Sequence, residues 1–373
     1  MALALSKTTT TTTMTKSQNG VVGGIEEPYA FERFHVVSDE SDHHYVSTNK
    51  PKKDGGADCF TNGGSRVYKK IMQEWKMLDK HLPDSIYVRV YEKRIDLLRA
   101  VIVGAAGTPY HDGLFFFDLA FPPDYPNRPP MVNYRSFGLR LNPNLYANGR
   151  VCLSLLNTWA GRKTEKWNPS ESTVLQVLLS IQALVLNEKP YFNEPGHGML
   201  GRAIWEKKSQ AYNEDVFFLS CKTMLFLLRR PSKNFEDFTA EYFRNRANEI
   251  LTACRAYASG HVRVGYYRND GSSSSSMSTS DVSEKFKGLM KQLYPELVAA
   301  FRRTGASLGT AVEHLEVEKN TTPFRLVKER ETKGGNDIAK KVIGKIKMVL
   351  GLKKNNKNKV GKSHPQGQLN STE

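Results

Sequence analysis

Apolar residues first recur at helical spacing at Val67, Ile71, Met72, Trp75, Leu78 and Leu82. Ser65 stands where a helix cap belongs, and Pro83-Asp84 stands where a helix stops. The period then changes. Residues 86–91, 97–103, 114–121 and 131–134 read as strands. Four consecutive strands with short connections predict an antiparallel meander. The third is too apolar for a strand with one face in water. A proline-rich link, residues 122–130, joins the last two on an extended path that cannot donate ladder hydrogen bonds at its prolines. Helical patterns return over 172–186, 199–210, 213–229 and 235–258, with Pro231 as a break. A further amphipathic helix is predicted over 283–303, from Phe286, Leu289, Met290, Leu293, Leu297 and Phe301. No internal repeat is present.

The flanks read differently. Residues 1–64 are polar and biased, with an unbroken threonine run from Thr8 to Thr13, and bury too little to offset ordering entropy. Residues 271–280 are a serine-rich linker. The expected organisation is an α+β core over 65–230, comprising an N-terminal helix, a four-stranded antiparallel meander and C-terminal helices. A helical extension follows over 231–270. Residues 1–64 are expected to be disordered, and 271–373 to hold a linker, a small helix and a basic tail.

Charge sharpens the picture of that tail. The chain has 373 residues and a formal net charge of +16. Residues 333–373 carry ten lysines against Asp337 and Glu373, so the tail alone supplies +8. Four cysteines, Cys59, Cys152, Cys221 and Cys254, form no C-x-x-C and suggest no disulfide scaffold, which fits a reducing compartment. No apolar run is long enough to span a bilayer, and the first residues lack the charge pattern of a secretory leader. No residue pattern calls for a metal or an organic cofactor.

The chemistry concentrates around Cys152. Pro143-Asn144 precedes it by eight residues, an Asn148-Gly149 turn lies just before it, and Trp167-Asn168-Pro169 follows, ahead of the apolar run 174–186. A thiolate is both nucleophile and leaving group, so a cysteine can accept an acyl group and release it to an amine. Asp124-Tyr125-Pro126 with Pro129-Pro130, then Pro143-Asn144, Gly149 with Cys152-Leu153, Trp167-Asn168-Pro169 and Val177-Leu-Leu-Ser180 stand in one order. Together they resemble the signatures of the ubiquitin-conjugating enzyme family. The likeness spans residues 65–230. Leu153-Ser-Leu-Leu-Asn-Thr-Trp-Ala-Gly161 and Asn193-Glu194-Pro195-Gly196 are similar to the large members that combine conjugating and ligase activity, and to their plant relatives.

The resemblance implies a fold and a set of roles. Cys152 would carry ubiquitin as a thioester. Asn144 would donate to the oxyanion of thioester aminolysis, or order its own loop, since asparagine readily bonds nearby backbone. Glu194, preceded by Asn193, would orient the acceptor lysine, although the family usually has the shorter Asp there. Leu179, Ser180 and Gln182 would form the face that holds donor ubiquitin, within a helix that mostly serves the core. Lys69, Lys70 and Lys76 would dock the ubiquitin-activating enzyme, or simply face water. The implied partners are ubiquitin, that activating enzyme, protein substrates and a ligase.

Three departures matter. Asn142 stands where the family usually has a loop-ordering His. Asn127 replaces an exposed apolar anchor for RING ligases, which favours a protein that selects its own substrates or docks by other contacts. The segment between Cys152 and Trp167 is longer than in minimal members, and its stretch 159–166, with Arg162, Lys163 and Lys166, is expected to gate or steer acceptors.

In the tail, Ile338, Val342, Ile343, Ile346, Val349 and Leu350 share one helical side, flanked by lysines over 337–352. Such a helix would lie on an anionic membrane or in a partner groove, and Lys353 to Lys359 could serve as a nuclear signal. The expected location is cytoplasmic or nuclear, with peripheral membrane association through the tail. Alternatives to the conjugating reading stay open: a non-catalytic ubiquitin-binding scaffold, an enzyme for a ubiquitin-like modifier, or an adaptor whose tail is the main function.

Overall fold

A computed structural model describes residues 31–48, 59–194, 202–260, 262–267 and 282–309. All of them belong to the unit Met1–Glu316. The expected tail helix at 337–352, the serine-rich linker and the lysine run lie outside the described residues.

The first helix, α1 (Arg66–His81), starts where its cap predicts: the Ser65 hydroxyl accepts from the Tyr68 N–H, and Val67, Ile71 and Leu78 are buried. The meander follows as β2 (Ile86–Tyr91), β3 (Leu97–Val103), β4 (Leu114–Ala120) and β5 (Met131–Tyr134), paired antiparallel in sequence order. The sheet has a fifth strand, which corrects the expectation of four. β1 (Phe34–Val37) pairs parallel with β2, in the register Phe34↔Val88 to Val37↔Tyr91. It comes from the stretch expected to be disordered. Its four residues, Phe-His-Val-Val, suit a strand but are too few to stand alone, and they pair with the open edge of β2.

The residues after β1 strap the sheet. Arg99 donates through Nε to Asp118 at 2.6 Å and through Nη1 to Asp42 at 2.5 Å. Arg94 donates to the carbonyls of Val46 and Thr48. Arg99 and Asp118 are both buried, and a buried charge is tolerated where it is paired and hydrogen-bonded.

Both faces of the sheet are covered, which explains the apolar third strand: all seven residues of β4 are buried. One face, with Ala100, Phe115 and Phe117, packs against α1 and α2 (Val174–Ser180). The chain continues from α2 as one π-helical turn, Ile181–Val185. The other face, with Val101, Leu114 and Phe116, packs under α3 (Arg202–Arg229), α4 (Glu236–Ala258) and α5 (Glu284–Arg303). Two expected helices are thus one, α3. It runs through Asn213, whose side chain turns aside to the Glu188 carbonyl at 2.9 Å. The expected small helix at 283–303 is α5. It belongs to the same helical layer as α4 rather than to a loose tail, because Phe286, Met290, Leu293, Leu297 and Phe301 are buried there. Pro295 sits on its exposed side.

Candidate active site

Gly149 sets the approach to the cysteine. It adopts φ +88°, and a Cβ there would meet the Asn133 side chain at 2.3 Å, so both conformation and space demand glycine. Its carbonyl accepts from the Tyr134 N–H at 2.7 Å, which ties the turn to β5. Isolated bridges Asn133↔Arg150 and Leu145↔Val151 carry the chain to Cys152.

Cys152 and Asn144 are joined twice. The Cys152 N–H donates to the Asn144 carbonyl at 2.9 Å, and Asn144 Nδ2 donates to the Cys152 carbonyl at 2.9 Å. Asn144 Oδ1 is buried without a hydrogen-bond partner. Behind them stands Asn142, wholly buried. Its Oδ1 accepts from the Asn144 N–H at 2.8 Å, while its Nδ2 donates to the Tyr110 hydroxyl at 2.8 Å and to the Val185 carbonyl at 2.7 Å. Asn193 reaches the same centre: its Nδ2 donates to the Val185 carbonyl at 3.2 Å, and its Oδ1 accepts from Asn187 at 2.7 Å. The amides of Asn142 and Asn193 therefore order backbone around the cysteine segment.

On the far side of Cys152, Thr158 closes a tight loop. Its hydroxyl donates to the Val151 carbonyl at 2.8 Å and accepts from the Leu153 N–H at 3.0 Å. Asn157 holds a left-handed conformation, φ 57°, which turns the chain into the long segment that follows. That segment folds back on the cysteine loop: a Cβ on Gly161 would meet Ser154 Oγ at 2.4 Å. It ends at Trp167, whose Nε1 donates to the Pro126 carbonyl at 2.6 Å. Cys152 itself is 2% exposed.

Glu194 follows the short turn Pro190–Asn193, and its carboxylate lies 3.8 Å from Arg140 Nη2. Arg140 also donates to the Pro143 carbonyl at 3.4 Å and lies over the Tyr146 ring. Glu194 is thus linked to the Asn144 segment through Arg140. On α2 and its π turn, Leu179 and Leu184 are exposed and Ser180 is half-buried. Gln182 is engaged, donating to Ser85 Oγ at 2.7 Å. Along α1, Lys69 and Lys76 are exposed. Lys70 is not a free docking cation: its Nζ lies 3.2 Å from the buried Glu74, whose carboxylate also accepts from the Tyr125 hydroxyl and the Val174 N–H. An uncompensated buried carboxylate is costly, so Lys70 serves the core first.

A family model for "Ubiquitin-conjugating enzyme" matches residues 70–219, which hold every candidate residue above except Lys69. Putative ubiquitin-conjugating enzyme E2 38 of Arabidopsis thaliana is 49% identical over 276 residues, covering 74% of this chain and 82% of that protein. The chain belongs to the ubiquitin-conjugating enzyme family.

Two other members differ in scale. Probable ubiquitin-conjugating enzyme E2 24 of Arabidopsis thaliana is 53% identical over 276 residues, 74% of this chain, but the chain spans only 29% of that relative's length. Dual E2 ubiquitin-conjugating enzyme/E3 ubiquitin-protein ligase BIRC6 of Homo sapiens is 38% identical over 261 residues, 64% of this chain and 5% of that protein.

Within the family frame, the departures acquire structure. Asn142 fills its buried position with an amide that makes three hydrogen bonds, so the loop is ordered without histidine. Sequence reasoning missed Tyr110, Asn187 and Thr158. Tyr110 and Asn187 lie far from Cys152 along the chain and show no pattern that marks them. Thr158 lies close, but nothing in its neighbours signals that its hydroxyl bridges two backbone groups.

Proposed function

We propose that this chain accepts ubiquitin from the ubiquitin-activating enzyme as a thioester on Cys152 and passes it to a substrate lysine. The Cys152 thiolate adds to the carbonyl of the incoming thioester and expels the activating enzyme's thiol. A deprotonated lysine amine then attacks the Cys152 thioester. The nitrogen gives up a proton to solvent, the tetrahedral oxyanion collapses, an isopeptide bond forms and the Cys152 thiolate leaves. The observation that carries the proposal is the double link between Cys152 and Asn144, which sets an amide donor beside the thiol-bearing residue.

Asn144 Nδ2 stabilises the oxyanion once it turns from the Cys152 carbonyl. Glu194 orients the acceptor lysine, with Arg140 holding it in place until a lysine competes for it. Exposed Leu179, with Ser180, receives donor ubiquitin, which limits the conformers of the thioester and favours attack geometry. Lys69 and Lys76 face the activating enzyme. Intrinsic ligase character is supported by the likeness to BIRC6 and by polar Asn127, which offers a separate ligase no apolar anchor. The lysine-rich tail supports the reading that the protein works in cytoplasm or nucleus, with peripheral association at anionic membrane surfaces.

The test is a charging assay with purified protein, activating enzyme, ATP and ubiquitin on a non-reducing gel, beside Cys152→Ala. A thiol-sensitive adduct of one ubiquitin that is absent in the variant supports the proposal. Absence of an adduct from folded protein rejects it, and a panel of ubiquitin-like modifiers and ubiquitin-binding assays then decides between the remaining readings.

A further inference from the structure

Positive charge gathers on both chain sides of Cys152. Arg150 stands two residues before it and is exposed. The guanidiniums of Arg140 and Arg150 lie 4.7 and 5.9 Å from the centroid of the Tyr146 ring. Tyr146 in turn follows Asn144, the residue that exchanges hydrogen bonds with Cys152. After the cysteine, the Thr158 hydroxyl ties the long segment to Val151 and Leu153, and Gly161 packs on Ser154. Arg162 and the short turn Lys163–Glu165 come directly after Gly161, and Lys166 ends the turn. Arg162, Lys163 and Lys166 are all exposed.

The carboxylates of this region do not balance those cations. Glu194 faces Arg140 at 3.8 Å, and Glu206 takes Lys189 at 3.0 Å. Glu165 accepts from the backbone N–H of Arg162 at 3.2 Å. Among the described residues, no carboxylate forms an ion pair with Arg150, Arg162, Lys163 or Lys166. Glu165 offsets one of these four cations, which leaves a local positive excess. A lone lysine that approaches such a rim meets like charge, whereas a lysine with acidic neighbours meets opposite charge. The same cations favour the neutral form of an incoming amine, which is the form that attacks a thioester.

We infer that this basic rim selects the acceptor: a substrate lysine flanked in its own chain by aspartate or glutamate. Selection of this kind rests on the reading of Cys152 as the thioester carrier. It gives Arg150, Arg162, Lys163 and Lys166 a task that begins only after charging, when an acceptor arrives. Because these side chains are exposed, their effect is several-fold and sensitive to salt. The lysine-rich tail also attracts acidic chains, but it is remote in sequence from Cys152 and favours no lysine over another by its neighbours at the thioester.

The experiment charges the full chain with ubiquitin, removes ATP and follows single-turnover discharge to three acceptors: free lysine and two end-capped peptides with one lysine each. Glutamate alternates with glycine around the lysine in one peptide, and glutamine replaces glutamate in the other. The acidic peptide is expected to react about fivefold faster at low salt, the scale of one or two exposed ion pairs. Its advantage should fall toward unity at about 1 M salt, where the screening length is about 3 Å. Arg162→Gln, Lys163→Gln and Lys166→Gln combined should remove most of the advantage by raising the half-saturating concentration of the acidic peptide, while rates with free lysine hold. Arg150→Gln should reduce it in part. All four are surface changes, and thermal unfolding verifies that the variants fold. Equal rates for the two peptides in the parent chain overturn the proposal. So does an advantage that survives in the triple variant, which would belong to the tail. A chain that never charges on Cys152 fails the conjugating reading and the acceptor rim together, whereas a chain that charges and then discharges equally to both peptides fails the rim alone.

Discussion

Asn144 and Cys152 exchange hydrogen bonds in both directions, each at 2.9 Å, through one backbone pair and one side-chain amide. The amide that would stabilise an oxyanion is therefore the same group that holds the cysteine's carbonyl. Asn144→Ala is expected to slow discharge of ubiquitin from Cys152 to free lysine by about 10²-fold, the scale for losing one oxyanion donor. Charging should survive. Single-turnover discharge beside a charging time course separates the two steps. Equal loss in both would reduce Asn144 to loop order alone.

Asn142 supports that pair from behind. Asn142→Ala leaves the Asn144 N–H, the Tyr110 hydroxyl and the Val185 carbonyl with one partner fewer each, in a fully buried place. The expected cost is about 2–4 kcal/mol, from buried groups left unsatisfied. Urea unfolding checks it: the midpoint should fall while the slope stays constant. An unchanged midpoint would mean that water or a rearranged loop replaces the amide.

The strap after β1 makes stability depend on acid. Burial pushes the carboxyl of Asp118 up, but the hydrogen bonds and charge of Arg99 more than offset it, so it lies below the ordinary carboxylate range. Burial likewise raises Asp42, and the charge and hydrogen bonds of Arg99 again lower it on balance. A group depressed in the folded state contributes fully above its unfolded value, about 3.9 for Asp, and that contribution is lost as pH falls through the folded value. The contribution of these two carboxylates should hold from neutral pH down to about 5 and decline below it. His43, which packs beside Asp118 with its imidazole pKa lowered by burial, should add a loss that begins as pH falls below about 6.5. Arg99→Met should cost about 3–5 kcal/mol at neutral pH, because it strands a buried carboxylate. The loss should shrink in acid. Thermal unfolding across pH 2–7 measures both.

The segment between Asn157 and Trp167 folds onto the residue two places after the cysteine, with Gly161 against Ser154. Removing residues 160–165 is expected to leave charging intact and to change the lysines modified or the rate of transfer. Mass spectrometry of products and single-turnover transfer report on each. Identical product patterns at identical rates would exclude a steering role for this segment.

Much was legible before the fold was known. α1 was readable because its cap and its apolar period are local, from Ser65 to Leu78. The strands β2 to β5 declared themselves by period and by turns, and β4 by a density of phenylalanine that only two covered faces explain. Cys152 stood out because Gly149, Asn144 and Trp167 lie within a short stretch of chain around it. Each of these signals depends on backbone preference or on contact between near neighbours, which a sequence records directly.

Other features came from the tertiary structure alone. Phe34–Val37 holds strand-forming residues but is too short to declare itself inside a polar stretch, and it becomes a strand because β2 offers an edge to pair with. Lys70 resembles its exposed neighbours until Glu74 is found buried beside it. Tyr110, Asn142 and the pair Asn187 and Asn193 come from three separate segments and meet behind the cysteine. An amide or hydroxyl satisfies whichever buried donor or acceptor the fold brings within about 3 Å, and that choice depends on packing across the whole domain.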